Sequence, residues 1–341
     1  MRKIFTFAAI FGLSACGANA PLDSATAPAQ SADFADEPAL ETDQATLDAN
    51  LMCTGFTHPD KPPVLLVHGT FTNGEEQYTW TYLPLLADRG FDVCAVTYPD
   101  RGFGDQQISA EYVVNALRKI HAESGRKVAM IGHSQGAGMP RWALKWWKSA
   151  RDATEDFVLE AGPNHGTTRA SLGVPLPTGM PASFWQFQPD SEFVAAVNRD
   201  DETPGDVSYT TLYTTFDELV QPVAPIPTAA LDLGLDNPNV ANIHLQDICP
   251  GRFVDHITIG LTDRLAFELA LDAITNPGPA NIERAGGASA LCGLANFIPD
   301  QIVAPEAAQG MLSVLLDEMQ HPPSMAPHLT TEEPPLKPYA Q

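Results

Sequence analysis

Residues 127–147 read K-V-A-M-I-G-H-S-Q-G-A-G-M-P-R-W-A-L-K-W-W. Val128 to Ile131 make a short apolar run, Gly132 to Gly136 spell G-H-S-Q-G, and the apolar spacing then changes to that of a helix. The stretch predicts strand, tight turn, helix. A serine at such a turn is held in a strained backbone conformation that lifts its hydroxyl over the sheet, and small residues at 132 and 136 let strand and helix approach. Ser134 is therefore the candidate nucleophile. The N–H of Gln135 falls in the first helical turn, where unpaired amides and the helix dipole favour a developing oxyanion. On its own the pattern also fits a glycine-rich turn carrying an idle serine. A phosphate cradle is disfavoured, because no Lys-Ser/Thr follows. A base, an acid and a second oxyanion donor have to come from elsewhere.

Upstream, Val64-Leu65-Leu66-Val67 is a continuous apolar run of the kind expected for a parallel strand covered on both faces. It leads into His68-Gly69-Thr70-Phe71-Thr72-Asn73-Gly74, a loop in the position that supplies the second oxyanion donor in hydrolases built on parallel sheets. Thr70 is best placed, although the same residues also suit a plain Gly-Asn turn. Residues 78–89 read as a helix ended by Gly90, and residues 91–97 as a strand. Residues 110–123 form a helix with Tyr112, Val113, Ala116, Leu117 and Ile120 on one face, stopped by Gly125. Downstream, Phe157-Val158-Leu159 is another strand, ending in A-G-P-N-H-G-T. Strands alternating with helices imply right-handed crossovers and an α/β fold with a mainly parallel central sheet.

Residues 167–204 lose this rhythm and carry scattered apolar residues: Leu172, Val174, Leu176, Met180, Phe184, Trp185 and Phe187. An excursion of this length beside a catalytic turn reads as a lid or pocket wall suited to an acyl chain, or as a surface loop on its own small core. Residues 208–216 are a Thr- and Tyr-rich strand, and Asp217 lies just past its end in a loop closed by Pro222. That is where an orienting acid belongs. Glu218 is its nearest rival, while Asp206, Asp232 and Asp236 lie in Gly- or Pro-rich connections. Residues 242–248 are the last strand, with His244 inside it and structural in character. His256 follows on a connecting loop before a helix at 262–274, placed to reach back toward Ser134. The order Ser, Asp, His is the one this hydrolase architecture uses.

A chain of 341 residues with 44% apolar content suits one domain of roughly 250–300 residues plus appendages, here expected at 51–320. With 42 acidic against 19 basic residues the formal charge is -23, which repels nucleic acid. No CxxC pair and no HExxH helix is present, so neither metal nor cofactor is expected. Residues 1–16 have a basic start and a short apolar run, the pattern of an export signal. The ending L-S-A-C resembles the bacterial lipobox, which would make Cys16 the lipidated N-terminus and anchor the protein in a membrane, the outer one or facing the periplasm in a Gram-negative cell. An ordinary signal cleaved nearby is the alternative. Residues 17–50 have almost no large apolar side chains and read as a disordered tether. Residues 299–319 contain an amphipathic helix, and 321–341 a Pro-rich disordered tail. With Cys16 assigned to the lipid, Cys53, Cys94, Cys249 and Cys292 remain, and four cysteines can pair in three ways. Pairing neighbours closes two loops of about 40 residues.

The pieces V-L-L-V-H-G-T, G-H-S-Q-G, F-W-Q, L-Y-T-T-F-D-E-L-V-Q-P and I-C-P-G-R-F-V-D-H, spread from Cys53 to Cys292, resemble the Candida antarctica lipase B family of α/β-hydrolases. The resemblance implies Ser134, Asp217 and His256 as nucleophile, acid and base, and Thr70 and Gln135 as oxyanion donors. It also implies the disulfides Cys53 with Cys94 and Cys249 with Cys292, and a pocket involving Asn164, Trp185, Gln186 and Phe187. Departures concern the pocket. Gly-His precedes the serine where the best-known member has Thr-Trp, Asn164 replaces an aspartate, Phe187 replaces a glutamine, and a third disulfide has no counterpart. The activity implied is ester hydrolysis through an acyl-enzyme, without a cofactor, by a monomer acting on a lipid or other carboxylic ester. A triacylglycerol lipase is the main expectation. A carboxylesterase for short soluble esters and an inactive hydrolase-fold binding lipoprotein are the alternatives.

Overall fold

The apolar runs of the sequence become the strands of one central sheet. The structure is a computed structural model and describes residues 34–170, 179–298, 305–320 and 325–341. Nine strands occur among these residues: β1 (Leu51–Cys53), β2 (Val64–Val67), β3 (Val93–Val96), β4 (Val128–His133), β5 (Thr154–Glu160), β6 (Met180–Pro181), β7 (Ser208–Tyr213), β8 (Val240–His244) and β9 (Leu329–Thr330). Seven of them form the sheet in the order β1-β3-β2-β4-β5-β7-β8, and β6 pairs with β9. Within the large sheet β1 runs antiparallel to β3, and every other pairing is parallel.

Both faces of the sheet are covered, which is why β2 and β4 read as unbroken apolar runs rather than alternating ones. Successive side chains point to opposite faces. Leu65, Val67, Val128, Met130, Phe157 and Leu159 enter one core, while Val64, Leu66, Ala129, Ile131 and Val158 enter the other. Helix Gln106–Ser124 packs on the first face; it is N-capped by Asp105 and ends at Gly125, whose φ of 69° is the left-handed value a glycine adopts readily. Helix Arg264–Thr275 packs on the second.

Local boundaries differ from the sequence reading where caps decide them. The span expected as one helix at 78–89 divides into Gly74–Tyr78, capped by the Asn73 side chain, and Tyr82–Ala87, because Thr81 has non-helical backbone angles. The disulfides are Cys53–Cys94, which join registered positions of β1 and β3, and Cys249–Cys292. They are the two pairs the resemblance implies.

The expected domain edges need correcting. Residues 34–50 are not a tether. Helix Gln44–Ala49 buries Leu47, Trp147 Nε1 donates to the Pro38 carbonyl at 2.7 Å, and the Glu111 carboxylate accepts the amides of Glu41 and Thr42. Residues 325–341 are likewise folded onto the domain. β9 pairs with β6, and Tyr339 packs against Trp142, Trp146 and Trp147. Polar, proline-rich segments lack a core of their own, but each is held by partners on the finished domain. Cys16 and the expected export signal lie outside the described residues, as does the 171–178 part of the expected lid.

Candidate active site

Ser134 sits between β4 and the helix Gln135–Gly138 with φ 57° and ψ -122°, a conformation L residues rarely adopt. Its neighbours show what permits the turn. A Cβ on Gly132 would lie 1.8 Å from the Gly136 carbonyl oxygen, and one on Gly136 would lie 2.1 Å from that of Val67. Any side chain at either position would push helix and strand apart. The Ser134 amide donates to the Glu160 carbonyl at the end of β5, 2.9 Å away. The serine is thus fixed at the C-terminal edge of the parallel strands, where such sheets carry their sites.

His256 begins the short helix His256–Ile259, whose start is set by a reciprocal capping box between Asp255 and Thr258. Its Nε2 lies 2.9 Å from Ser134 Oγ, and its Nδ1 lies 3.0 Å from each carboxylate oxygen of Asp217. Asp217 and His256 are both buried. Burial alone would raise the Asp217 pKa; the His256 ring and the amides of Val220 and Leu219 outweigh it, so the carboxyl is held below its ordinary value. An ionised Asp217 makes Nδ1 the donor of the neutral ring and leaves Nε2 as the acceptor facing the serine hydroxyl. Glu218, the rival acid, instead accepts the main-chain amide of His256 at 3.2 Å.

The loop after β2 brings Thr70 beside Gln135, and the Thr70 hydroxyl donates to Gln135 Oε1 at 2.8 Å. His68 shapes this loop from behind. Its Nδ1 donates to the Gly69 carbonyl at 2.7 Å, its ring stacks on Tyr98, and burial lowers its pKa to about 4. His133 does more than the sequence disclosed. Burial, then the neighbouring His256, lowers its pKa to about 3, so the ring is neutral. Its Nε2 donates to the His256 carbonyl at 2.7 Å, its Nδ1 faces Gln77 Nε2 at 3.3 Å, and Gln77 Oε1 accepts the Gly69 amide at 2.9 Å. One buried chain of hydrogen bonds thereby joins the Thr70 loop to the His256 backbone.

A cavity of about 340 Å³ opens onto Ser134 and His256, with a mainly apolar wall that includes Phe71, Phe184, Phe187, Leu219, Leu261 and Val314. Of the four residues expected to shape this pocket, Phe187 alone lines it. Asn164 is buried and donates Nδ2 to the Ala229 carbonyl at 2.6 Å. Trp185 donates its indole N–H to the Thr330 carbonyl, and Gln186 accepts the Gln106 amide at the start of the long helix. The excursion at 167–204 does supply Phe184 and Phe187 to the wall. Val314 comes from helix Pro305–Gln320, which the sequence had revealed as amphipathic but not as part of the site. Among the described residues no group of three or more His, Cys, Asp and Glu could hold a metal ion.

Glu160, whose main-chain carbonyl accepts the Ser134 amide, is a further buried acid. Its carboxyl accepts the Tyr82 hydroxyl at 2.7 Å, and burial raises its pKa to about 8. The sequence signal was there in an acid that directly follows the apolar run of β5, F-V-L-E.

A parallel sheet carrying a strained serine, an imidazole joined to it and an ionised aspartate behind the imidazole define a serine hydrolase of the α/β class. The sequence pattern of the alpha/beta hydrolase family matches residues 64–286, and the chain belongs to that family. It is similar to the solved structure of Aspergillus fumigatus lipase B, with 30% identity and a TM-score of 0.77 covering 89% of this chain and 74% of that one. It is also 29% identical over 243 residues to lipase B of Pseudozyma antarctica, spanning 70% of this chain and 69% of that protein.

Proposed function

We propose that this chain hydrolyses carboxylic esters of apolar acids through an acyl-enzyme on Ser134, most plainly as a triacylglycerol lipase. The observation that carries the reading is the position of His256 Nε2, 2.9 Å from Ser134 Oγ at the mouth of an apolar cavity. His256 takes the hydroxyl proton as Ser134 attacks the carbonyl carbon, and Asp217 holds the ring and stabilises the imidazolium. The amides of Thr70 and Gln135 receive the charge on the carbonyl oxygen. The imidazolium then gives its proton to the leaving alcohol, and water activated by the same ring frees the acid.

Long acyl chains fit the surroundings of the cavity. Leu219 at its rim is 43% exposed, and Leu312, Leu315 and Leu316 on helix Pro305–Gln320 are 54%, 43% and 41% exposed. Apolar side chains left in water beside an apolar cavity suit contact with lipid. The proposal extends to a membrane-tethered, exported monomer lipidated at Cys16. Labelling with a fluorophosphonate followed by mapping of the modified peptide tests the nucleophile. A p-nitrophenyl ester series from acetate to laurate tests the acyl preference. A protein that is left unlabelled, or one that turns over acetate alone, contradicts the corresponding half of the reading.

A further inference from the structure

Resting on the ester-hydrolase reading, we infer that the turn Pro99–Gly102 is the element that sets the oxyanion hole, with Arg101 as its positioning residue and as the tie between that hole and helix Pro305–Gln320. The turn touches both halves of the hole. Phe71, next in the chain after Thr70, donates its amide to the Arg101 carbonyl at 2.9 Å, and Arg101 Nη1 donates back to the Phe71 carbonyl at 2.9 Å. Gly102 packs against the side chain of Gln135 so closely that a Cβ there would lie 2.1 Å from Gln135 Oε1.

The backbone of this clasp is strained on both sides. Phe71, Asp100 and Arg101 have φ of 73°, 57° and 52°, values that L residues rarely adopt and that persist only where the surroundings hold them. Arg101 is what imposes them. Its guanidinium meets the Glu76 carboxylate through two bonds of 2.6 and 2.8 Å, and it also pairs with Asp317 on the helix that contributes Val314 to the cavity wall. The fork of donors on a guanidinium can hold a carbonyl and two carboxylates at once, which a lysine ammonium on its flexible stem does not reproduce. Acyl chains seated against Val314 therefore bear on a helix that shares one side chain with the loop presenting the Thr70 amide.

Kinetics of Arg101→Ala, Arg101→Lys and Asp317→Asn on p-nitrophenyl butyrate and laurate test this. Misplacing an oxyanion donor is expected to lower kcat of Arg101→Ala about 10- to 100-fold with KM changed by no more than about threefold, and millimolar guanidinium chloride, unlike sodium chloride, restores part of it. Arg101→Lys is expected to fall between the two, and it carries the test should the alanine variant fail to fold. Asp317→Asn leaves the Glu76 fork in place and is expected to raise KM for laurate more than it lowers kcat. Unchanged kcat in both Arg101 variants, or a loss confined to KM, overturns the inference while the hydrolase reading stands. A wild-type protein that hydrolyses neither ester overturns both.

Discussion

His133 Nε2 donates to the main-chain carbonyl of His256 across 2.7 Å, so the residue before Ser134 holds the backbone of the proposed base. Gly260 makes the contact possible, since a Cβ there would lie 2.2 Å from the His133 ring. Removing the ring leaves the His256 carbonyl without this donor and releases Gln77 from its partner. We predict that His133→Ala lowers kcat on a short ester about tenfold through a misaligned imidazole. His133→Gln, which can place an amide donor near the lost Nε2, should recover part of that loss. Equal activity in the alanine variant and the wild type would show that the base needs no such support.

Stability should peak in mildly acidic solution, because two sets of buried groups pull in opposite directions. The folded pKa values of His68 and His133, about 4 and about 3, lie below the ordinary 6.5. The unfolded chain therefore takes up protons that the folded one refuses, and stability falls as pH drops below about 6.5. Glu160 and Asp156 are raised by burial to about 8 and about 7. The folded chain keeps protons that the unfolded one releases above about 4, so stability falls as pH rises toward 8. The two trends offset between about pH 4.5 and 6.5, and chemical denaturation from pH 3 to 9 should give a plateau there. Glu160→Gln should flatten the alkaline limb and, with one of the two offsetting acids gone, tilt the plateau so that stability rises with pH across it, by a few kcal/mol at most.

Tyr339 stands between three tryptophans, with ring centroids 6.3, 5.9 and 5.2 Å from Trp142, Trp146 and Trp147, and its hydroxyl accepts the Trp142 indole N–H at 3.2 Å. Tyr339→Ala should cost about 2–3 kcal/mol, less than a fully buried aromatic because the ring is part-exposed. Urea denaturation measures it. A loss below about 0.5 kcal/mol would mean that the last residues contribute nothing to the fold.

These contacts also explain which parts of the molecule the sequence disclosed. β2 and β4 were legible because a strand buried on both faces is apolar throughout, and Ser134, Asp217 and His256 because each follows a strand end in the order this architecture uses. Residues 34–50 and 325–341 were not legible. Their order comes from Trp147, Glu111 and Tyr339 meeting partners far away in sequence, and nothing periodic in a polar segment announces such partners. Trp185 and Gln186 were expected in the pocket from the resemblance alone; they adjoin Phe184 and Phe187 in the chain, but a helical turn points them away from the cavity into hydrogen bonds with Thr330 and Gln106.

Asn164 gives the last prediction, because it occupies a position where an aspartate was the expected residue and its surroundings show why an amide stands there. Asn164 Nδ2 donates to the Ala229 carbonyl at 2.6 Å, and Oδ1 has no hydrogen-bond partner in a fully enclosed site. An ionised aspartate would set a carboxylate oxygen against that carbonyl with no proton between them. Arg141 is close, but its Nη1 donates to the main-chain carbonyl of Asn164 at 3.0 Å and not to the side chain, so its charge offsets only part of the repulsion. The Asn164→Asp carboxyl should therefore be held above its unfolded pKa. Its protonated form keeps a donor for Ala229, so the variant should approach wild-type stability near pH 4 and lose about 1–3 kcal/mol as pH rises to 7. Activity on short esters should change little, since residue 164 does not line the cavity. An Asn164→Asp protein more stable than wild type at pH 7 would mean that Arg141 swings to the new carboxylate and that its field dominates this side of the site.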